Sequence, residues 1–359
     1  MLKQSNPRFT KARNVFGVTT LFAFTVVFIG MLGSCDNEPD LGCQKQIKIT
    51  ATTLVTGLEE LQGSTIGPGS DLYVTAPLTG SIWRVDRKSG KTSLFATGLP
   101  ARIPDPYFQG SGVVDVSFLG GIAYALVTGV APDLEGNDIV GIYRMDGPNT
   151  FTVIADIGAW SEAHPPETSY FLPTGFQYAM QTYKNGFIVT DGHHNRVLQV
   201  GLDGEITELV AFGNVVPIGL ALQGNTVYIG QAGPIPHVPE DSKVFSFTMQ
   251  SLTPTQLASG VGLENIGLLA DLEFGPGGDL YGILQGFWDG PFEGAPADPN
   301  TGALVRVNPD GTFTILLDGL NQPTSLEIIG NTAYVVSLAG EVWTIETSRV
   351  SPCKAWREQ

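Results

Sequence analysis

Asp271-Leu272-Glu273-Phe274, Gly275-Pro276-Gly277-Gly278 and Asp279-Leu280-Tyr281-Gly282-Ile283 open the stretch from Asp271 to Pro323. After a long loop come Leu304-Val305-Arg306-Val307, Asn308-Pro309-Asp310-Gly311, Thr312-Phe313-Thr314-Ile315-Leu316-Leu317 and Gly319-Leu320-Asn321-Gln322-Pro323. Four short runs of strand-favouring residues are separated by glycine, proline and asparagine, the residues that tight turns require. Short alternating runs joined in this way read as one four-stranded antiparallel blade.

The rest of the chain repeats this unit. The run Asp279–Ile283 has counterparts around Tyr73, Tyr124, Phe187, Tyr228 and Tyr334. These aromatics recur at intervals of roughly 40–60 residues, and about four strands per period is the signature of a β-propeller. The next strand recurs as Ile82–Asp86, Ile142–Asp146, Val197–Val200, Val244–Phe247 and Val342–Ile345. The sixth unit lacks its outer strand, whereas 47–57 stands unused before the first unit, and its end resembles the outer strand 94–99. The fold expected is therefore all-β: a six-bladed β-propeller of four-stranded antiparallel blades, closed by the N-terminal strand, spanning residues 46–347. Closure in this way removes exposed strand edges.

The ends read as an address and two tethers. Met1 to Ser34 carries Lys3, Arg8, Lys11 and Arg13, no acidic residue, and an apolar run from Val15 to Leu32. This is the layout of a secretory signal. It ends in Leu32-Gly33-Ser34-Cys35, which resembles a bacterial lipobox with Cys35 as the lipidated residue; an uncleaved membrane anchor is the alternative. Residues 35–45 then form a polar tether and 348–359 a polar tail. Both readings place the domain in the cell envelope, on the extracytoplasmic side of a bacterial membrane. Cys43 precedes the closing strand and Cys353 follows the last one, so ring closure brings them together. In an oxidising compartment a Cys43–Cys353 disulfide is expected, with two thiols as the alternative. Of the 359 residues 15% are charged and the net charge is −16. Such a chain has no basic surface with which to neutralise phosphates, so nucleic acid is not an expected partner.

Strand order divides the loops between two faces. Connections within hairpins, such as Asp203-Gly204 and Pro309-Asp310-Gly311, are short. Those between second and third strands and between blades are long: 100–110, 129–139, 159–172, 231–242 and 285–302. Long loops in a compact domain carry function. Tyr107, His164, His237, Trp288 and Asp289 fall there as candidate binding residues. Asp115 and Asp271 share one register near the start of two inner strands, at the mouth of the channel. Asp191 and His193 open on the same side, so these four are candidate ligand- or metal-binding groups. The competing reading of Asp115 and Asp271 is that they bond backbone amides between blades. His193 and His194 point apart if extended, so the two would not share an ion. Asp133, Glu135, Asn137 and Asp138 bunch in one loop and point to calcium, but without the glycine and distal glutamate of a calcium-hand loop. No nucleophile elbow, phosphate loop or paired-cysteine zinc site occurs.

The turn 274–281, the run 306–312, and Ala155-Asp156-Ile157-Gly158 with Glu162 and His164-Pro165 resemble the ScyD/ScyE family. The resemblance covers about residues 50 to 346 and implies an exported, NHL-type six-bladed propeller. Gly-Pro-Gly-Gly turns are replaced here at Leu119-Gly120-Gly121 and Gln223-Gly224-Asn225. An analogy with gluconolactonase-like propellers would require Glu, Asn and Asp ligands from different blades. Glu59 or Glu60 could supply the first, but Gly175 and Gly219 stand at the comparable positions of the others. Two functions follow: a membrane-tethered propeller that binds an unidentified ligand or protein through its long-loop face, or a metal-dependent hydrolase or lyase at the channel mouth.

Overall fold

The structure, a computed structural model, describes residues 46–104, 110–264, 266–290 and 294–350. Cys35, Cys43, Tyr107 and Cys353, the signal segment and the tether lie outside the described residues. Six four-stranded antiparallel sheets form the propeller. Blade I is built from β2 (Ser64–Ile66), β3 (Leu72–Ala76), β4 (Ser81–Val85) and β5 (Thr92–Ala96). Blade II holds β6 (Gly112–Leu119), β7 (Ile122–Thr128), β8 (Gly141–Gly147) and β9 (Thr150–Asp156). Blade III comprises β10 (Gln177–Tyr183), β11 (Gly186–Asp191), β12 (Arg196–Gly201) and β13 (Ile206–Ala211). Blade IV comprises β14 (Pro217–Gln223), β15 (Thr226–Gln231), β16 (Lys243–Thr248) and β17 (Ser251–Ser259). Blade V, the stretch quoted first, contains β18 (Gly267–Phe274), β19 (Leu280–Gly286), β20 (Gly302–Val307) and β21 (Phe313–Leu320). In blade VI, β22 (Pro323–Ile329), β23 (Thr332–Ser337) and β24 (Glu341–Val350) are completed by β1 (Gln46–Val55) as the outer strand. The ring is thus closed by the N-terminal strand, as the sequence predicts, and β24 runs beyond residue 347 to keep pace with it.

Apolar side chains are buried between blades, where alternation places each sheet's two faces against its neighbours. Six clusters result, one in each gap. Ile82 and Ala96 pack on Val113 and Ala125 between blades I and II; Leu61 and Leu72 pack on Tyr334 and Val336 across the closing seam between VI and I. The recurrent aromatic belongs to these gaps: Tyr73 meets Phe118 edge-on at 4.7 Å, Tyr124 meets Phe187 at 5.0 Å, and Tyr228 meets Phe274 at 5.0 Å. Such pairs add about 0.5–1.5 kcal/mol each beyond area burial.

Five of the inner strands break register once near their entry: between Val113 and Asp115, Gln177 and Met180, Pro217 and Leu220, Leu269 and Asp271, and Pro323 and Ser325. A bulge re-aims the following side chain. In these five strands the residues after the break line the channel.

Candidate functional site

The inner strands enclose a channel with two connected spaces. A bore of about 310 Å³ is lined by residues of β2, β6, β10, β14, β18 and β22. A vestibule of about 390 Å³ lies above it, walled by loop residues that include Tyr170, Phe171, Phe176, His193, Ile235 and His237. Gln62, Tyr178, Ile218, Leu268 and Gln285 line both spaces and form the neck between them. The vestibule walls come from inter-blade loops and from loops between second and third strands, so the long-loop face carries the wide mouth.

His193 and His194 point apart, and each has a separate task. His193 faces the vestibule, edge-on to Phe171 at 5.0 Å and tilted against Phe176 at 5.5 Å. Burial lowers its pKa to about 4, so it is neutral near pH 7. His237 also lines the vestibule and is likewise depressed by burial. Its Nδ1 lies 2.8 Å from the Gly233 carbonyl, an acceptor, so Nδ1 carries the proton and Nε2 keeps its lone pair. Trp288 is not a surface residue: it is 8% exposed, its Nε1–H donates to the Ala295 carbonyl at 2.9 Å, and its ring braces His237 edge-on at 4.9 Å. Asp289 is exposed and does not line the vestibule. His164 caps the short helix α1 (Ile157–Ala163), stacked on Trp160 at 4.4 Å, outside the vestibule lining.

Asp191 and His194 belong to a buried network centred on Arg196, which is 0% exposed. Arg196 Nε donates to Asp191 Oδ2 at 3.2 Å, and its terminal nitrogens donate to Ser161 Oγ at 2.9 Å, the His164 carbonyl at 2.8 Å and His194 Nδ1 at 2.8 Å. A guanidinium only donates, so His194 Nδ1 is unprotonated and Nε2–H donates to the Leu172 carbonyl at 2.7 Å. The Trp160 ring lies 4.9 Å from the guanidinium carbon. Asp191 also accepts from Phe176 N at 3.0 Å, and its pKa is lowered despite burial, with the Arg196 charge and the Phe176 amide among the causes. The network therefore pins α1 and the loop carrying Tyr170, Phe171 and Phe176 against blade III. Asn195 completes this wall by accepting from Val215 N at 2.8 Å and Val216 N at 2.9 Å.

Asp115 and Asp271 lie in mid-strand, inside the bore rather than at its rim. Each carboxylate bonds the amide that follows it and an amide of the next blade. Asp115 accepts from Val116 N at 2.8 Å and Met180 N at 2.7 Å; Asp271 accepts from Leu272 N at 2.8 Å, Leu326 N at 2.8 Å and Ser325 Oγ at 3.1 Å. Both therefore bond amides between blades. The geometry does not bring Asp115, Asp191, His193 and Asp271 onto one point, since Asp191 lines neither space. Among the described residues no three His, Cys, Asp or Glu side chains are placed to hold a metal ion. In the acidic loop, Asp133 Oδ2 instead takes Thr174 N at 3.1 Å and Thr174 Oγ1 at 2.7 Å. Glu60 is paired with Arg102.

The bore holds two further acids that the motif reading missed, Glu273 and Glu327. Each lies two residues beyond a bore-facing position, Asp271 and Ser325, and so shares its strand face. Burial raises Asp271 to about 7; burial and then the Asp271 charge raise Glu273 to about 7. Burial, followed by the charges of Glu273, Asp271 and Asp115, raises Glu327 well above the usual carboxylate range, and burial does the same to Asp115. Among the described residues no lysine, arginine or histidine lines the bore.

No family model and no curated protein matches the chain in sequence. Solved structures do match the fold. A gluconolactonase from Xanthomonas campestris is similar with a TM-score of 0.58 and 11% identity, over 84% of this chain and 90% of that one. A PQQ-bound aldose sugar dehydrogenase from Streptomyces coelicolor gives 0.55 and 12%, over 85% and 99%. Virginiamycin B lyase from Staphylococcus aureus gives 0.51 and 14%, over 84% and 99%. At these identities the likeness establishes the six-bladed fold.

Proposed function

We infer that this chain is a lipid-anchored, extracytoplasmic propeller that binds a small organic ligand in the vestibule on its long-loop face. The observation that carries this is the vestibule itself. It is a preformed concavity with aromatic walls, two neutral histidines and a floor opening into the channel, which matches the usual make-up of a small-molecule site. The buried Arg196 network holds one wall rigid, and this lowers the ordering cost of binding. The anchor is proposed from Cys35 and the basic and apolar segments before it, and kinship with the ScyD/ScyE family from the repeated turns. The metal-dependent hydrolase or lyase reading finds no shared donor set in the described geometry.

Two measurements test the proposal. A thermal-shift screen of small aromatic compounds should yield ligands that raise the melting temperature of the intact protein. The Phe171→Ala/His237→Ala variant should lose that shift while keeping its own cooperative transition. Shifts that survive in the variant would place the site elsewhere. For the anchor, radiolabelled palmitate should enter the native chain and not Cys35→Ser, and the variant should leave the membrane fraction.

A further inference from the structure

The net charge of −16 hides how unevenly the charges are placed. Connections on the long-loop face carry exposed acids, among them Glu59, Glu135, Glu162, Glu167, Glu240 and Asp289. Among the described residues the cations at that face are Arg102, Arg196 and Lys243, and each is paired with an acid: Glu60, Asp191 and Asp241. The short-loop face reverses this. The hairpin between β4 and β5 gathers Arg84, Arg87, Lys88 and Lys91, and Lys184 lies in a turn of the same face in blade III. Lys88, Lys91 and Lys184 are exposed and form no salt bridge among the described residues. Two acids attend the hairpin, and both are engaged. Arg84 Nε donates to Asp71 at 2.6 Å, and Asp86 accepts from Lys88 N at 3.0 Å and Ser89 N at 2.8 Å. The hairpin thus keeps an excess of positive charge. Arg87 donates to the Ser70 carbonyl and, at 3.2 Å, to the Tyr334 hydroxyl of blade VI, which fixes the patch across the closing seam.

The chain enters the propeller on this same face. In blades I to V a hairpin there joins the third and fourth strands. In blade VI its place is taken by the open ends of β24 and β1, where Val350 faces Gln46. Residues 36–45 separate Cys35 from Gln46 and reach at most about 35 Å when extended. An inner strand such as β6, with 8 residues, is roughly 26 Å long. Turning the vestibule toward a bilayer would therefore need most of the tether's reach. Resting on the lipid anchor inferred above, we propose that the short-loop face docks on an anionic lipid headgroup surface through the β4–β5 hairpin, so that the vestibule opens away from the bilayer. Headgroup phosphates supply the counter-charge that Lys88 and Lys91 lack within the protein, and the same surface repels the acids of the opposite face. Phe171 and Ile235, exposed at the vestibule rim, are thereby kept off the bilayer and left to a ligand from the aqueous side.

The test reconstitutes the native, full-length protein on vesicles of phosphatidylcholine alone or of phosphatidylcholine with phosphatidylglycerol, and follows amide hydrogen exchange by mass spectrometry. On the anionic vesicles exchange in 84–91 should slow by on the order of tenfold relative to the neutral ones, the size expected for a small excess of cations at such a surface. Exchange in 159–172 and 231–242 should not change. About 0.5 M salt should abolish the slowing, because it shortens the reach of the charges. Lys88→Gln/Lys91→Gln should lose it, and Lys88→Arg/Lys91→Arg should keep it. Slowing in 159–172 or 231–242 instead would overturn the proposal and turn the vestibule toward the bilayer. Equal exchange on the two vesicles, or a glutamine variant that behaves as the native protein does, would also overturn it. The anchor is judged separately, since a lipid chain holds the protein on either vesicle. Failure to sediment with the neutral vesicles would refute the anchor alone; the face would then be judged by sedimentation with the anionic ones, which the glutamine variant should weaken.

Discussion

Arg196 shows how a surface-looking residue type becomes, among the described residues, the largest fully buried side chain. Its nitrogens meet Asp191, Ser161, the His164 carbonyl and His194 at hydrogen-bond distance, with Glu208 at 3.4 Å and Trp160 over its plane, so desolvation is widely offset. Breaking a buried pair strands the partner charge, which costs about 3–5 kcal/mol. Arg196→Met should lower stability by that amount in urea titration and loosen the loop bearing Phe171; a change below about 1 kcal/mol would mean that Asp191 finds another partner. The bore acids give a pH signature. Asp271 and Glu273 stand near 7 when folded against ordinary carboxylates when unfolded. Their contribution is therefore complete below about pH 4 and is lost as pH rises through 7. His193, lowered to about 4, acts in the opposite direction: its contribution is present above the ordinary histidine range and is lost as pH falls through 4. Between pH 5.5 and 8 the carboxylates dominate: two groups lose stability over most of the interval, whereas the single His193 gains it only until the unfolded histidine has given up its proton. The native protein should be less stable at pH 8 than at pH 5.5. Glu273→Gln should remove a share of that loss on the order of 2 kcal/mol; an unchanged pH slope in this variant would show that Glu273 is not displaced.

At the scale of the element, the inner strands reveal a pairing that the sequence disguises. Gly63 of blade I abuts Asp115 of blade II, and Gly219 of blade IV abuts Asp271 of blade V; in each case a Cβ on the glycine would lie 2.8 Å from the aspartate Cα. Each aspartate then reaches one blade onward, to Met180 N in blade III or Leu326 N in blade VI. A glycine, an aspartate and an amide thus recur over three blades, twice around the ring. Gly219→Ala should cost about 1–3 kcal/mol as an overpacking change and push Asp271 off Leu326. Gly224→Ala, at a left-handed turn with open space around it, should cost no more than about 1 kcal/mol. Equal effects in denaturant titrations would refute the inner-strand pairing. The same strands explain what could be read in advance. The hairpins around Tyr73 and Tyr281 declare themselves through alternation and turn residues, which are local. The bulges that lower Asp115 and Asp271 from the mouth into the bore are set by contacts with the next blade, and no local pattern marks them. Glu273 and Glu327 looked like ordinary strand charges until closure of the ring turned their face inward.

For the whole molecule the decisive fact is that the core is distributed, with one apolar cluster in each of six gaps. Each gap needs both of its blades, so the ring is only as strong as its closing seam. That seam was legible because a missing outer strand at one end matched a spare strand at the other; the vestibule was not, because Phe171 and Phe176 meet His193 only once their loop folds over blade III. At the seam β1 runs antiparallel to β24 in unbroken register, with Gln46 facing Val350, Ile47 facing Arg349, and so on to Thr53 facing Trp343. Each step back along one strand is a step forward along the other. Cys43 lies three residues before Gln46 in the sequence and Cys353 three residues after Val350, so the expected disulfide would lie just outside the paired ends of this ladder. Directly opposed residues of an antiparallel pair fall within the Cα separations that a disulfide accepts. A bond there would join the two ends of nearly the whole propeller, and restricting so long a loop in the unfolded chain is where a crosslink stabilises most, by about 2–5 kcal/mol. Alkylation of the native, non-reduced protein followed by mass spectrometry should find neither Cys43 nor Cys353 labelled, and a reductant should lower the denaturation midpoint while leaving the Cys43→Ser/Cys353→Ser variant unmoved. Recovery of both cysteines as labelled thiols from protein kept under oxidising conditions would show that hydrogen bonds and the cluster around Leu61 hold the ring closed without a covalent lock.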